Sequence, residues 1–305
     1  MSARFVAGLD GGGSKTALCC LDAQGRLLSD AVFGQMNINS TDRGAVKSTL
    51  ADIARHLQGL TAQGGACAGL TIASAGASNP EAQAFIAGGL RDAGCLAPFD
   101  LVGDHVAALR GAVGKVGAVL IAGTGSICYG RNEAGASARA GGWGYLLDDE
   151  GGGYALGRDI LRAALRAMDG RGPGTALSAL LEAERGLVSG QDIVRFAYDP
   201  VLGKAHIAGL AELLPPALDQ LDHAALAVCD TAVAELYALC KAVITGLRLE
   251  NATLALMGSI LQHVEPIRAG VEKSLAEGFP ALSVITPRRD AAWGAAELAR
   301  ERYLA

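Results

Sequence analysis

The chain has 305 residues, of which 50% are hydrophobic and 5% aromatic, and it carries a formal net charge of −5. This length allows about two globular domains with an ample core. The negative net charge, with no basic cluster, argues against nucleic acid or an anionic membrane as a partner and favours small molecules.

The seven cysteines are scattered through apolar runs, and none forms a Cys-x-x-Cys pair. Buried reduced thiols explain this pattern better than a zinc site, an iron–sulfur site or a disulfide framework. The first apolar run is flanked by Arg4 and Asp10 and is too short for a signal segment, and no run approaches the roughly 20 residues of a membrane span. We therefore expect a cytoplasmic protein.

The first predicted element, over residues 4–22, is an apolar strand, a turn with Asp10, Gly11, Gly12 and Gly13, and a second apolar strand. Successive glycines can present backbone N–H groups as an anion-binding nest, and phosphate is the expected ligand of such a nest. Because a carboxylate repels a phosphate, Asp10 predicts a Mg²⁺ ion shared with a nucleotide. An ordinary tight hairpin remains the alternative.

Two better-known glycine motifs do not fit this turn. A Walker A loop needs glycine where the chain has Leu9 and Ser14, ahead of Lys15 and Thr16. The dinucleotide fingerprint needs a helix after the turn, whereas here an alternating strand follows.

The elements that follow give the order β-β-β-α-β-α-β-α, which indicates a sheet mixing antiparallel hairpins with parallel crossovers. Thr41 and Asp42 are predicted to cap the first helix, which runs to about Gln58. The other predicted elements are strand 26–33, loop 34–39, strand 66–74, helix 80–93, strand 99–102 and helix 105–112.

The pattern then restarts, since residues 116–131 repeat the strand, glycine turn and strand of the opening, and 136–141 can form a third strand. Two matching halves predict duplicated domains that face each other across a cleft. We place the domains at 1–113 and 114–288, with the C-terminal helix, 289–305, packing back on the first. The remaining predictions are a glycine-dense loop 141–157, helices between 160 and 218, an amphipathic helix 222–247, strand 252–257, helix 261–277 and strand 282–285.

Taken together, five motifs resemble the N-acetylglucosamine kinases of the BadF/BadG/BcrA/BcrD ATPase group, within the actin, sugar kinase and Hsp70 superfamily. The motifs span almost the whole chain and are Gly8-Leu-Asp-Gly-Gly-Gly-Ser-Lys-Thr16, Val102-Gly-Asp104, Ile121-Ala-Gly-Thr-Gly-Ser126, Gly141-Gly-Trp-Gly144 with Asp149-Glu-Gly151, and Met257-Gly-Ser259. The resemblance implies an α/β fold with two ribonuclease-H-like domains of the actin and hexokinase type, hinged over a cleft.

The resemblance also implies roles for individual residues. Asp104 falls at the position of the catalytic base, and Asp10 at that of the Mg²⁺ ligand. The residues at positions that contact the β- and γ-phosphates of ATP are, in the first turn, Gly11, Gly12, Gly13, Ser14, Lys15 and Thr16. In the second turn they are Gly123, Thr124, Gly125 and Ser126. Gly258 and Ser259 match positions beside the adenosine. The sugar contacts fall to Asn37, Thr124, Trp143, Gly144 and Asp149, together with Asp104. The chain departs from the family at Asp148, where glycine is usual.

Other readings of these acids remain open. Asp104 precedes a helix, so it can also be an N-cap. Asp149 lies between Asp148 and Glu150, so it can also belong to a solvated acidic loop.

The resemblance implies ATP-dependent phosphorylation of N-acetylglucosamine at its 6-hydroxyl, by a protein that we expect to be a homodimer. Glucosamine kinase is the nearest alternative, since the substrates differ by one acetyl group. An activator ATPase of 2-hydroxyacyl-CoA dehydratase or benzoyl-CoA reductase shares the ATP motifs but needs an iron–sulfur ligand set, which the scattered cysteines do not offer. An ATP-binding regulator is a third alternative, although no nucleic-acid-binding segment is evident.

Overall fold

The computed structural model describes residues 3–12, 15–36, 42–75, 77 and 79–305. The chain divides into two compact units, one formed by Met1–Lys115 with Pro287–Ala305 and the other by Val116–Thr286. Each unit is built on a mixed five-stranded sheet with helices. This architecture confirms the predicted α/β class.

The first sheet has the strand order β3-β2-β1-β4-β5. Its strands are β1 (Ala3–Gly11), β2 (Thr16–Asp22), β3 (Leu27–Phe33), β4 (Gly65–Ser74) and β5 (Phe99–Val102). The first three strands form an antiparallel meander, and β1, β4 and β5 run parallel.

The second sheet repeats this plan, with the order β10-β9-β6-β7-β8. Its strands are β6 (Gly117–Ala122), β7 (Ser126–Arg131), β8 (Ser137–Gly141), β9 (Thr253–Met257) and β10 (Ser283–Ile285). Again three strands form an antiparallel meander, and β6, β9 and β10 run parallel. The restart in the sequence therefore corresponds to a repeated ribonuclease-H-like topology.

The helices cover these sheets. They are α1 (Arg43–Ala62), α2 (Pro80–Asp92), α3 (Asp104–Ala112), α4 (Gly153–Met168), α5 (Ala176–Arg185), α6 (Gly190–Tyr198), α7 (Lys204–Ala208), a 3₁₀ turn (Gly209–Leu213), α8 (Leu214–Leu218), α9 (His223–Leu247), α10 (Ser259–His263), α11 (Glu265–Gly278) and α12 (Ala291–Tyr303). No helix in the described ranges is long and apolar enough to cross a membrane.

Strand β1 separates two cores of the first unit through its alternating side chains. Phe5 and Leu9 pack in the core that includes buried residues of α1 and α2, whereas Val6 packs with alanines of α12. Helix α12 approaches β1 very closely, since a Cβ on Gly8 would lie 1.9 Å from the backbone nitrogen of Ala296. The small residues on both elements are what permit this approach.

The prediction of a loop over residues 141–157 is wrong at its end, because α4 already begins at Gly153. Inside the helix, glycine serves close packing rather than a loop. A Cβ on Gly157, inside the helix, would lie 1.8 Å from the carbonyl oxygen of Ile207.

The prediction of one helix over 261–277 is also wrong, since α10 and α11 are separated at Val264. Pro266 has no N–H to donate to the preceding turn, and its ring would clash with the carbonyl four residues earlier.

Two predicted helix starts can be compared with their observed caps. At α1, Asp42 accepts a hydrogen bond from the N–H of Ala45 at 3.0 Å, which confirms that part of the predicted cap, while Thr41 lies outside the described residues. At α3, the N-cap is Gly103 and Asp104 is the first helical residue, so the N-cap alternative for Asp104 is wrong.

Candidate active site

The parallel strands of the first unit bring two carboxylates to one edge of the sheet. Asp10 lies near the end of β1, and Asp104 follows β5. Because β1, β4 and β5 run parallel, their carboxyl ends share an edge, where α/β proteins commonly bind ligands.

The first glycine turn is held by few backbone hydrogen bonds among the described residues. The N–H of Gly12 donates to the carbonyl of Lys15 at 3.1 Å, and the N–H of Met36 donates to the carbonyl of Gly12 at 3.2 Å. The hydroxyl of Thr16 is buried and donates to the carbonyl of Gly34 at 2.7 Å. Gly13 and Ser14, predicted to contact phosphate, lie outside the described residues.

Asp10 carries an unfavourable negative charge. Burial raises the pKa of its carboxyl to about 6, with further contributions from Asp104 and Asp290, and the positive charge of Lys15 opposes this only in part. Asp290 is the N-cap of α12 and accepts a hydrogen bond from the N–H of Trp293 at 2.8 Å. A cation beside Asp10 would neutralise this excess charge.

Mg²⁺ fits the donor chemistry at Asp10. The described residues contain no group of three His, Cys, Asp or Glu side chains placed to hold a metal ion. Mg²⁺ does not require such a cage, since it is commonly bound by one or two carboxylates, with water and substrate phosphates as the other ligands.

Asp104 has the opposite electrostatic character. Partial desolvation would raise its pKa, but hydrogen bonds from the ring and backbone N–H of His105 outweigh this effect and hold the pKa of Asp104 below its ordinary value. Its side chain is 52% exposed. Asp104 is therefore an accessible carboxylate that stays ionised at neutral pH.

The second glycine turn, residues 123–126, is tied by hydrogen bonds to the start of α4. The N–H of Gly153 donates to the carbonyl of Gly123 at 2.7 Å, and the N–H of Tyr154 donates to that of Thr124 at 3.0 Å. The Ser126 hydroxyl is buried and donates to the carbonyl of Glu150 at 2.6 Å. The turn is thus fixed before any ligand binds.

Asp149 lies directly against this turn. A Cβ on Gly125 would lie 2.4 Å from Oδ2 of Asp149, so only glycine leaves room for the carboxylate. Asp149 has φ 67°, a left-handed conformation that is uncommon for a residue other than glycine. Burial, followed by the charge of Asp148, raises its pKa, while hydrogen bonds from the backbone N–H groups of Ser126 and Gly144 oppose the rise. These contacts disfavour the alternative of a freely solvated acidic loop.

Trp143 projects from the same loop and is 65% exposed. The guanidinium of Arg139 lies 3.9 Å from the centre of its ring. The carboxylate of Asp148 accepts a hydrogen bond from the N–H of Trp143 at 3.3 Å, so the residue that departs from the family pattern helps to shape this loop. Gly144 has φ 98°, and no atom lies within 4 Å of the position that a Cβ would occupy, so it adjoins open space.

A cavity of about 560 Å³ adjoins the second turn. Gly123, Thr124 and Ser259 line it, and apolar walls come from residues that include Ala208, Pro215 and Ile260. Its volume suits a small-molecule ligand of nucleotide size.

Gly258 lets β9 and the segment before α10 meet β6 closely. It has φ 96°, and a Cβ there would lie 2.2 Å from the carbonyl oxygen of Ala122. This close approach leaves no room for a side chain at position 258, directly before Ser259.

The structure brings together several of the predicted site residues within each unit. In the first unit, Asp10 and Asp104 share a sheet edge, but the predicted sugar contact Asn37 lies outside the described residues. In the second unit, Asp149 contacts the glycine turn at Gly125.

Sequence reasoning missed the walls of the cavity and the partner of Asp104. Ala208, Glu212 and Pro215 line the cavity, yet no motif in the helical region 160–218 marks them, and His263 lines it from α10, outside the motifs. His105 follows Asp104 directly, and this adjacency is the one signal that could have identified it.

The BadF/BadG/BcrA/BcrD ATPase family model matches residues 7–299. The chain is 33% identical over 303 residues to an N-acetylmuramic acid/N-acetylglucosamine kinase of Clostridium acetobutylicum, with 97% of this chain and 98% of the relative covered. It is 29% identical over 320 residues to an N-acetyl-D-glucosamine kinase of Dictyostelium discoideum, with 98% of each covered.

Among solved structures, a candidate N-acetylglucosamine kinase from Chromobacterium violaceum superimposes with a TM-score of 0.76 at 24% identity. The match covers 98% of this chain and 100% of that one. At this identity the likeness shows a common fold.

Proposed function

This chain belongs to the BadF/BadG/BcrA/BcrD ATPase family, and from that membership we propose that it is an ATP-dependent kinase that phosphorylates N-acetylglucosamine at its 6-hydroxyl. The observation that carries the proposal is the placement of Asp104, a carboxylate with a side chain that is 52% exposed, directly after β5 at the start of α3. The two relatives that match over nearly their full length are named for N-acetylated amino sugars.

In the proposed reaction, Asp104 orients the sugar hydroxyl and accepts its proton as the oxygen attacks the γ-phosphorus of ATP. The bond from the γ-phosphorus to the bridging oxygen breaks, and ADP leaves. A hydroxyl is a poor nucleophile, and phosphoryl transfer depends mainly on positioning and charge neutralisation. An ionised carboxylate at this position can orient the hydroxyl and accept its proton.

The phosphates are assigned to the two glycine turns. Gly123 supports this role, because no atom lies within 4 Å of the position that a Cβ would occupy, so its backbone can be approached closely. Asp10 would hold Mg²⁺, which supplies neutralisation of the phosphate charge. In the first turn, the buried hydroxyl of Thr16 already donates to the carbonyl of Gly34, and Thr16 pairs in the sheet with Gly11 and Phe33, so we assign to Thr16 the support of the turn rather than a direct phosphate contact.

The nucleoside is assigned to the cavity beside the second turn. Ala208 and Pro215 offer apolar contact to a planar base, while Ser259 and Glu212 offer polar groups for a ribose. The sugar substrate is assigned to Asn37, Trp143, Gly144 and Asp149, with Thr124 near both ligands.

Glucosamine kinase is the alternative within this class. Glucosamine carries an ammonium group at neutral pH, which an acid would recognise, whereas the N-acetyl group needs apolar room and an amide partner. The names of the two relatives favour the acetylated sugar.

The activator type of ATPase receives no support from the cysteines. Five of the seven are buried and the other two, Cys67 and Cys95, are partly buried. A cluster shared between subunits needs thiolates at the surface, and burial raises the pKa of Cys67 to about 11.

The test is a coupled assay of ADP release with a panel of hexoses and amino sugars, followed by identification of the phosphorylated product by NMR. We expect ADP release to depend on N-acetylglucosamine and the product to carry phosphate on the 6-oxygen. If ADP release depended on glucosamine rather than on N-acetylglucosamine, the protein would be the alternative, a glucosamine kinase. Equal ATP hydrolysis with and without every sugar would contradict the kinase proposal.

A further inference from the structure

In the first turn of α3, two nitrogen atoms of His105 contact the carboxylate of Asp104, the proposed base. The backbone N–H of His105 donates to Oδ1 of Asp104 at 2.8 Å, and ring nitrogen Nδ1 of His105 lies 3.4 Å from the same oxygen. Gly103, the N-cap, has no side chain to satisfy the free N–H groups of the helix start. The carboxylate of Asp104 takes over part of that task.

The imidazole ring is placed by the backbone of Gly103. A Cβ on Gly103 would lie 2.4 Å from Cε1, 2.9 Å from Nδ1 and 3.0 Å from Nε2 of His105. The ring therefore folds back over the glycine, and its side chain is 21% exposed, against 52% for Asp104. Gly103 has φ −62°, which any residue can adopt, so a Cβ here would meet the His105 ring rather than strain the backbone.

The two oxygens of Asp104 are consequently unequal. Both contacts from His105 reach Oδ1, and among the residues that the structure describes, no hydrogen bond from another residue reaches Oδ2. One oxygen is therefore held by His105, and the other carries no such bond on a side chain that is 52% exposed.

We propose that His105 is a positioning residue for the Asp104 base: it holds Oδ1 so that Oδ2 faces the sugar hydroxyl and accepts its proton. The inference rests on the proposed kinase function. In this arrangement His105 carries a hydrogen on Nδ1 and keeps it throughout the reaction, while the hydroxyl proton moves to Oδ2. The imidazole thereby orients the carboxylate, a role in which small displacements have large effects on rate.

The test compares two substitutions of His105 in the intact protein. His105→Phe keeps a ring of similar size but removes the donor, and we expect kcat to fall about tenfold while the KM for ATP stays within about twofold. His105→Asn places an amide nitrogen near the position of Nδ1, and we expect it to retain kcat within about threefold of wild type. The melting temperature of each variant reports on folding separately.

Gly103→Ala gives a second test that leaves His105 in place. The new Cβ would displace the ring, so kcat should fall about as far as in His105→Phe. In a His105→Ala background, the same change should have no further effect. His56→Phe is the matched control, because His56 pairs with Ser29 at 2.9 Å on another part of this unit and its replacement should leave kcat unchanged.

Wild-type kcat in His105→Phe, or equal losses in the Phe and Asn variants, would overturn the positioning role while leaving the kinase function intact. A wild-type protein that phosphorylates no amino sugar would overturn both.

Discussion

The two glycine turns occupy equivalent places in the repeated topology, yet they are stabilised differently. The first turn carries Asp10, whose pKa is raised by burial and by the neighbouring carboxylates Asp104 and Asp290. The second turn carries no acid of its own, and the hydrogen bonds of Gly153 and Tyr154 hold it in place. The first turn therefore has an electrostatic cost that a cation can relieve, whereas the second is ordered at folding.

This difference predicts that changes in the first unit act mainly on chemistry and charge, and that changes around the second turn act mainly on position. Substitutions in each unit, measured for both activity and stability, can therefore test the contrast.

The largest effect is expected from Asp104→Asn. The change removes the proton acceptor but keeps the shape of the side chain, so kcat should fall by about 100-fold or more, with nucleotide affinity and melting temperature little changed. A coupled assay and nucleotide titration measure both quantities. The exposed carboxylate Asp30, on edge strand β3, offers Asp30→Asn as a control with normal kcat. A kcat within about threefold of wild type in Asp104→Asn would remove this residue from the mechanism.

The next effect is expected from Gly125→Ala, in the second turn. The added Cβ would lie 2.4 Å from Oδ2 of Asp149, and overpacking of this kind destabilises proteins by about 1–3 kcal/mol. We expect a lower melting temperature and a fall of about 30-fold in kcat/KM, because the turn and Asp149 can no longer keep their positions. Urea unfolding and steady-state kinetics provide the measurements.

Two further variants separate packing from ligand binding in that experiment. Gly123→Ala meets no atom within 4 Å, so its melting temperature should match wild type even if ATP binding weakens. In an Asp149→Ala background the clash is gone, so adding Gly125→Ala should lower stability no further than Asp149→Ala alone, which itself loses the hydrogen bonds from Ser126 and Gly144. A further loss in the double variant would show that Gly125 is needed for another reason.

The strands, and most of the helices, are predictable because alternating and helical apolar patterns report directly on burial. Strand β1 is one example, with Phe5 and Leu9 on one face and Val6 on the other. Glycine is harder to interpret, because it marks both turns and close packing. The sequence pattern therefore assigns the helical Gly157 to a loop, although it is required by the carbonyl of Ile207.

The candidate site is predictable where a motif is local and not where it is assembled from distant segments. Asp10, Asp104 and the two glycine turns each belong to a short sequence pattern. The cavity walls Ala208 and Pro215 come from a helical region whose small residues resemble ordinary core. The pairing of Asp149 with Gly125 also joins segments far apart in the chain, which only the folded structure reveals.

Asp10→Asn tests the electrostatic cost of the first turn. A folded-state pKa of about 6, above the ordinary 3.8, means that Asp10 favours folding below about pH 4 and that this contribution is lost as pH rises through about 6. At pH 8 such a shift corresponds to about 3 kcal/mol, which partial solvent exposure reduces to about 2 kcal/mol. The ligand-free Asn variant should therefore be more stable than wild type at pH 8 by about 2 kcal/mol, although its use of Mg-ATP is impaired.

Denaturant unfolding at pH 4, 6 and 8 checks this expectation. The gain from Asp10→Asn should shrink toward pH 4, and Mg-ATP should stabilise wild type more than the variant. A stability difference that does not vary with pH would show that burial of Asp10 carries no net charge penalty.

The smallest effect is expected from Arg139→Gln, beside the loop of the second unit that carries Trp143. The guanidinium lies 3.9 Å from the ring centre of Trp143, and exposed cation–π contacts contribute about 0.5–1 kcal/mol. If the contact only orients the tryptophan, the KM for N-acetylglucosamine should rise about threefold, while kcat and the KM for ATP stay unchanged. Arg131→Gln, at the end of neighbouring strand β7, is the control and should leave all three constants unchanged. Trp143→Ala shows how much the whole tryptophan contributes to the KM for N-acetylglucosamine. If Trp143→Ala raises this KM and Arg139→Gln does not, the ring holds its position without the guanidinium. A fall in kcat for Arg139→Gln would instead show that this part of the second unit contributes to the chemical step, and the contrast between the two turns would then be wrong.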